Sequence, residues 1–221
     1  MHVKVKQTII KFPELDLFIR DSHKIRGFFG NYFKDVSPLL HNHYDDGTNI
    51  YKYPMVQYKV IEKIPTLVGL NEGAELLNDL FLKIDKMILD DREYIINNKN
   101  IYTNTFIVDV ENKLNYYTTL TLWMALNQKN HKIYQALESK EEKEQMLEKI
   151  LIGNILSFYK AVNYTAEDKI LAKIVYREKE TKFKDKNMLG MAVTFITNAL
   201  LPSYIGIGKS VSRGFGTIIK A

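Results

Sequence analysis

The stretch 53–77, YPMVQYKVIEKIPTLVGLNEGAELL, decides the fold. Its two β-rich runs, YPMVQYKVIEK and PTLVGL, part near Ile64 and Pro65 and read as two strands, since branched and aromatic side chains suit a pleated surface. A helix follows. Asn71 stands where a cap belongs, and Leu76, Leu77, Leu80, Phe81, Ile84, Met87 and Ile88 recur at helical spacing, which predicts one helix through NEGAELLNDLFLKIDKMIL. Upstream, Val3 and Val5 alternate with Lys4 and Lys6 in a strand that Pro13 stops. Ser22 then caps HKIRGFFGNYF, whose Ile25, Phe28, Phe29, Tyr32 and Phe33 share a helical face, and Gly27 and Gly30 indicate close packing there. Downstream, REYII supplies a last short strand. The order β-α-β-β-α-β over residues 1–97 is the ferredoxin-like arrangement.

NNKN at 97–100 marks the expected boundary, giving domains over 1–97 and 101–221. In the second, TNTFIVDV alternates as a strand with Phe106, Val108 and Val110 on one side. WMALNQKNHKIY enters a helix, and Ser139 with Glu142 forms a capping box for another that carries Leu147, Ile150, Leu151, Ile155, Phe158 and Val162. ILAKIVY, MAVTFITNA and RGFGTII read as strands. Two α+β halves of similar size suggest a duplication.

With 221 residues, 46% of them hydrophobic, the chain can bury a substantial core. No apolar run approaches the roughly 20 residues that span a bilayer, and the N-terminus lacks the features of a signal peptide, so a soluble, cytoplasmic protein is expected. Cysteine is absent, which excludes disulfides, thiolate metal sites and cysteine nucleophiles. The net charge of +5 suits a polyanionic partner, and its distribution says more. After Asp185 the chain has no acidic side chain, while Lys186, Lys209, Arg213 and Lys220 remain.

That cationic tail ends in GIGKSVSRGFGTIIKA, residues 206–221, with four of the eleven glycines. GIGKS fails as a phosphate loop, because its required first glycine falls at Ser203 and no helix can follow the serine. The dinucleotide fingerprint fails as well, since Val211 occupies its third glycine position. Two readings remain: a small-residue loop lying along a phosphodiester backbone, or a glycine-rich turn into a packed strand.

LLHNHYDDGTNIYKY, residues 39–53, is the other chemically loaded stretch. Pro38, Asp46 and Gly47 make it a loop, and His41 and His43 lie two residues apart. Taken alone the pair admits a metal site completed by Asp45 or Asp46, two solvated loop histidines, or acid–base chemistry.

LPSYIGIGKSVSRGFGTI resembles the C-terminal glycine-rich loop of the repeat-associated mysterious protein superfamily, specifically its CRISPR repeat-RNA processing endoribonucleases. IRGFFGNYF, LLHNHYDDGTNIYKYPMVQYKV, PTLVGLNEGAELL, WMALNQKNHKIY and ILIGNILSFYKAV extend the resemblance over most of the chain in order. It implies two tandem ferredoxin-like folds with a C-terminal glycine-rich loop, binding of CRISPR precursor RNA, and cleavage within the repeat with neither metal nor cofactor. His41 and His43 would act as acid and base with help from Tyr51, preferred to Tyr53. Gly206, Gly208, Lys209, Ser210, Arg213, Gly214, Phe215 and Gly216 would hold RNA, with Lys52 near the phosphate. An effector ribonucleoprotein and a homodimer are further implied associations, and no membrane partner is expected. A non-cleaving RNA-binding subunit and a protein-interaction module are the alternative functions.

Overall fold

The structure, a computed structural model, describes residues 2–33, 35–40, 52–183 and 186–221, with residues 182, 183 and 186 described by backbone alone. It divides into two compact units. One comprises residues 4–106 and 211–214, the other residues 1–3, 107–210 and 215–221.

The first unit contains β1 (Val3–Lys11), α1 (Ser22–Tyr32), β2 (Val56–Ile61), β3 (Ile64–Leu70) and α2 (Glu72–Leu80). A hairpin of β4 (Lys86–Leu89) and β5 (Arg92–Ile95) precedes the start of the long β6 (Asn100–Thr119). The sheet runs β2-β3-β1-β6, the ferredoxin-like order. Residues 53–77 fold as two strands and a helix. Glu62 and Lys63, both at positive φ, form the two-residue turn between β2 and β3, a conformation that fits the strands' twist. Along β2, Val56, Tyr58 and Val60 enter a core with Ile25, Phe29 and Leu77.

Four local expectations change. The helix stops at Leu80, and a short 3-10 turn leads into β4, where Met87 and Leu89 are buried and Ile88 is exposed in strand alternation. Asn71 occupies the cap position of α2 without capping it; its side-chain oxygen accepts the Lys6 backbone N–H at 3.1 Å instead. Ser22 lies inside α1 and donates to the Ile19 carbonyl at 2.8 Å. Gly27 faces open space, so close packing does not account for it.

Among the described residues REYII pairs with β4 alone, so the fourth ferredoxin-like strand of this unit comes from the first part of β6. Thr8 and Thr103 side chains meet at 2.9 Å between β1 and β6. The division accordingly falls at 106/107, beyond the break expected at 97–100; Asn97 and Asn98 donate their backbone N–H groups to Glu14 within the first unit.

The second unit continues β6 and adds α3 (Gln128–Ala136), α4 (Lys140–Ala161), β7 (Ala172–Phe183), β8 (Lys186–Leu200) and β9 (Ile218–Lys220). Ser139 and Glu142 form the expected capping box on α4, and Leu147, Leu151, Ile155 and Phe158 form its buried stripe. The order β9-β6-β8-β7 repeats the ferredoxin-like pattern. An extended segment stands where the second helix of that pattern would fall: residues 201–217 connect β8 to β9 with a single 3-10 turn at Val211–Arg213. No helix of the described residues is long and apolar enough to cross a membrane.

Lys59 on β2 is fully buried, and burial pushes its ammonium down to about 7. Between about pH 7 and its ordinary pKa near 10.4 the unfolded chain therefore binds more protons at this site than the folded one. Stability from this group rises with pH across that window. Lys59→Met is expected to flatten the rise and to increase the denaturation midpoint at neutral pH, as read by urea unfolding at several pH values.

Candidate nucleic-acid interface

His41, His43 and Tyr51 lie outside the described residues, but both flanks of their segment are held within the first unit. On one side Leu40 is buried in the core, and the Tyr58 hydroxyl donates to its carbonyl at 2.8 Å. Burial raises the Tyr58 pKa far above the usual phenol range, so the group remains a donor. On the other side the Gln57 amide donates to the Tyr53 hydroxyl and the Pro54 carbonyl, each at 3.1 Å. Met55 is buried and its carbonyl accepts from Leu70. Tyr53 thus has a packing role, while Lys52 is exposed.

Residues 201–217 are held at their two ends and at Lys209 by hydrogen bonds. Tyr117 fixes the start: Leu201 donates to its hydroxyl at 2.8 Å, and burial pushes that phenol up to about 12. Within the second unit, Tyr204 and Ile218, Ile205 and Ile218, and Ile207 and Gly216 are joined by backbone hydrogen bonds of 2.7 to 2.9 Å. Gly206 bridges Thr217, completing a narrow antiparallel pair.

The glycines at 208, 214 and 216 have φ of +86°, +85° and +63°, the region that disfavours a side chain. A Cβ on Gly208 would lie 2.6 Å from the Trp123 indole, and one on Gly216 would lie 1.9 Å from the Ile207 carbonyl oxygen. Trp123 is buried and its indole N–H donates to Asn154 on α4 at 2.9 Å. These glycines let the chain approach itself, which is the turn-into-strand reading of the tail.

The same segment presents charge. Lys209 is exposed, and its backbone N–H is fixed to the Met124 carbonyl at 3.1 Å. Ser210, at φ +56°, and Phe215 are both half-buried. Arg213 belongs to the first unit, near Arg26 of α1; burial first, and then the Arg213 charge, lower the Arg26 pKa. Lys24 is committed elsewhere, to Asp21 at 2.8 Å and Asp90 at 2.5 Å.

In the second unit Lys209 borders an open cleft of about 790 Å³ with Lys129, His131 and Lys132 of α3 and Asn187 of β8. NQKNHK is visibly basic in the sequence, but nothing there links it to Lys209. Among the described residues no group of three His, Asp or Glu side chains is placed to hold a metal ion.

Two ferredoxin-like halves with a cationic C-terminal segment are the arrangement that the resemblance to the repeat-associated mysterious proteins implies. The family model of the Cas6b N-terminal domain matches residues 3–107, and that of the Cas6b C-terminal domain matches residues 109–221. The chain belongs to the Cas6b family. A crystal structure of Cas6b is 35% identical with a TM-score of 0.93, covering 99% of this chain and 100% of that one. A second, described as CRISPR RNA processing endoribonuclease Cas6b, is 33% identical with a TM-score of 0.81 and the same coverage. An uncharacterised protein of Methanocaldococcus jannaschii is 41% identical over 105 residues, 47% of this chain and 71% of that protein.

Two substitutions test the packing described. Tyr58→Phe leaves the buried Leu40 carbonyl without its donor and is expected to cost about 1–3 kcal/mol in urea unfolding. Gly216→Ala is expected to lower stability by roughly 2–3 kcal/mol and the thermal midpoint by roughly 4–12 °C, whereas Gly27→Ala, with open space around it, should be neutral or stabilising.

Proposed function

We propose that the chain is a metal-independent endoribonuclease that binds CRISPR precursor RNA and cuts within each repeat. Membership of the Cas6b family over both halves carries this reading. The His41/His43 pair, on a segment held at both flanks, gives it a chemistry. One imidazole takes the proton of a ribose 2′-OH while its oxygen forms a bond to the adjacent phosphorus. The bond from phosphorus to the 5′-oxygen breaks, and the other imidazolium protonates that leaving oxygen. The products are a 2′,3′-cyclic phosphate and a 5′-hydroxyl. Histidine suits both roles because its ordinary pKa near 6.5 leaves both protonation states populated at neutral pH.

Tyr51 assists at the phosphate, with Lys52 as nearby positive charge. Lys209 and Arg213 hold the RNA backbone, and the glycines on either side of them, Gly206, Gly208, Gly214 and Gly216, set the path of the loop that presents these cations. Contacts of this kind position RNA without reading its bases.

Cleavage of the cognate repeat RNA in excess chelator is the test. The wild-type chain should cut, and His41→Ala or His43→Ala should slow cutting by about 10²- to 10⁴-fold. A 2′-deoxy nucleotide before the cut should abolish cleavage and preserve binding. Cleavage of the deoxy substrate would place the nucleophile on water, and full activity in both histidine variants would remove them from the mechanism. Binding without cleavage would instead fit an RNA-holding subunit.

A further inference from the structure

The cleft beside Lys209 is formed within the second unit and has a composition that selects for a ligand class. Lys129 and Lys132 on α3 and Lys209 in the tail supply three ammonium groups, and none of the described residues lining the cleft is acidic. All three lysines are exposed. Across the acidic and basic surface of this chain lysines are commonly held by carboxylates, as Lys24, Lys140 and Lys173 are. Three lysines gathered in one concavity, with no carboxylate among its described lining residues, therefore favour a ligand bearing several negative charges along its length.

The walls distinguish single from double strands. Leu126, Met188 and Leu189 give the cleft an apolar side, and Gln128 and Asn187 add amide donors and acceptors. A duplex keeps its bases stacked inside and offers such a wall nothing to cover, whereas an unpaired segment can lay a base against it. The volume of about 790 Å³ lies in the range of pockets that accept small organic groups. The end of α3 adds little, because Asn127 already accepts the Asn130 N–H at 2.7 Å.

The anchoring of Lys209 ties this cleft to the tail. Its own N–H is bound to Met124, and Gly208 before it lies against the Trp123 indole. The cation is thus presented from a fixed backbone position rather than from a free end.

We propose that the cleft between α3 and β8 seats a single-stranded segment of the RNA substrate, with Lys129, Lys132 and Lys209 on its phosphates and Leu126, Met188 and Leu189 against an unpaired base. This rests on the proposed RNA substrate and adds a subsite within the second unit.

The experiment measures binding in the His41→Ala/His43→Ala background, so that cutting does not intervene. Repeat RNA, a single-stranded oligouridylate and a fully paired RNA duplex are titrated across a salt series. Lys129→Ala/Lys132→Ala should weaken both single-stranded ligands and reduce the salt slope by about 0.7 for each phosphate that is no longer neutralised. Lys149→Ala/Lys160→Ala removes the same charge from α4 outside the cleft and should leave the slope unchanged, and Lys129→Arg/Lys132→Arg should restore it. Met188→Asp should weaken the oligouridylate and spare the duplex. An unchanged slope in the double alanine variant overturns the proposal, as does equal weakening of duplex and single strand. Whether the wild-type chain cuts repeat RNA is read separately and bears on the proposed function alone.

Discussion

Backbone must approach backbone at a handful of points in this chain, and the glycines there set where the elements lie. In the first unit a Cβ on Gly69 would stand 2.3 Å from the Gly73 carbonyl oxygen, and one on Gly73 would stand 2.2 Å from that of Met55. Helix α2 therefore begins directly against β3 and the entry to β2, with no side chain as spacer. That close approach carries Ala74, Leu77 and Leu80 into the sheet. In the second unit Gly216 performs the corresponding service for the pair formed by residues 204–207 and 216–218. Side chains of ordinary size at these points would displace whole elements, since packed interiors have little room to absorb added atoms.

The two halves share a strand order and differ in what closes it. In the first, α2 completes the ferredoxin-like pattern; in the second, an extended segment takes the place of the second helix. A helix would hide its backbone N–H groups in its own ladder and present only side chains. The segment 201–217 pairs its two ends with each other and pins its middle at Lys209, whose N–H donates to the Met124 carbonyl, so that its cations lie on a defined path. Replacing the helix is thus the structural condition for having the loop. At the histidine segment, the buried Leu40 carbonyl and the buried Gln57 amide secure the two flanks.

Much of the fold is legible in the residues. The hairpin at 53–70, the start of α2, the capping box of α4 and the terminal strands follow from local pattern, because each is set by side chains near in sequence. The end of α2 is not, since Ile84, Met87 and Ile88 prolong the helical stripe, while the strand that forms is marked only by the short alternation of Met87 and Leu89. The fourth strand of the first unit is missed for a different reason. REYII has the composition of a strand, yet which partner it takes depends on long-range pairing that composition does not encode. At the candidate site, the cationic tail and the histidine pair are visible because unusual residue types concentrate there. Arg26 beside Arg213 and Lys129 beside Lys209 are each joined only by folding, so single-residue chemistry makes either member look like an ordinary solvated cation.

Residues 211–214 belong to the same compact unit as β1, β2 and α1. A Cβ on Gly214 would stand 2.8 Å from the Ser22 hydroxyl and 3.0 Å from the carbonyl of Tyr58, the same residue that secures Leu40. The first unit is therefore discontinuous in sequence, and it is completed only after all of its other segments have been synthesised. Chains generally fold domain by domain as they emerge, N-terminal first. Here the patch around Ser22 and Tyr58 must wait for the tail, so a nascent chain exposes that patch throughout synthesis of the second half. Formation of a finished N-terminal unit becomes a report that synthesis has passed residue 214.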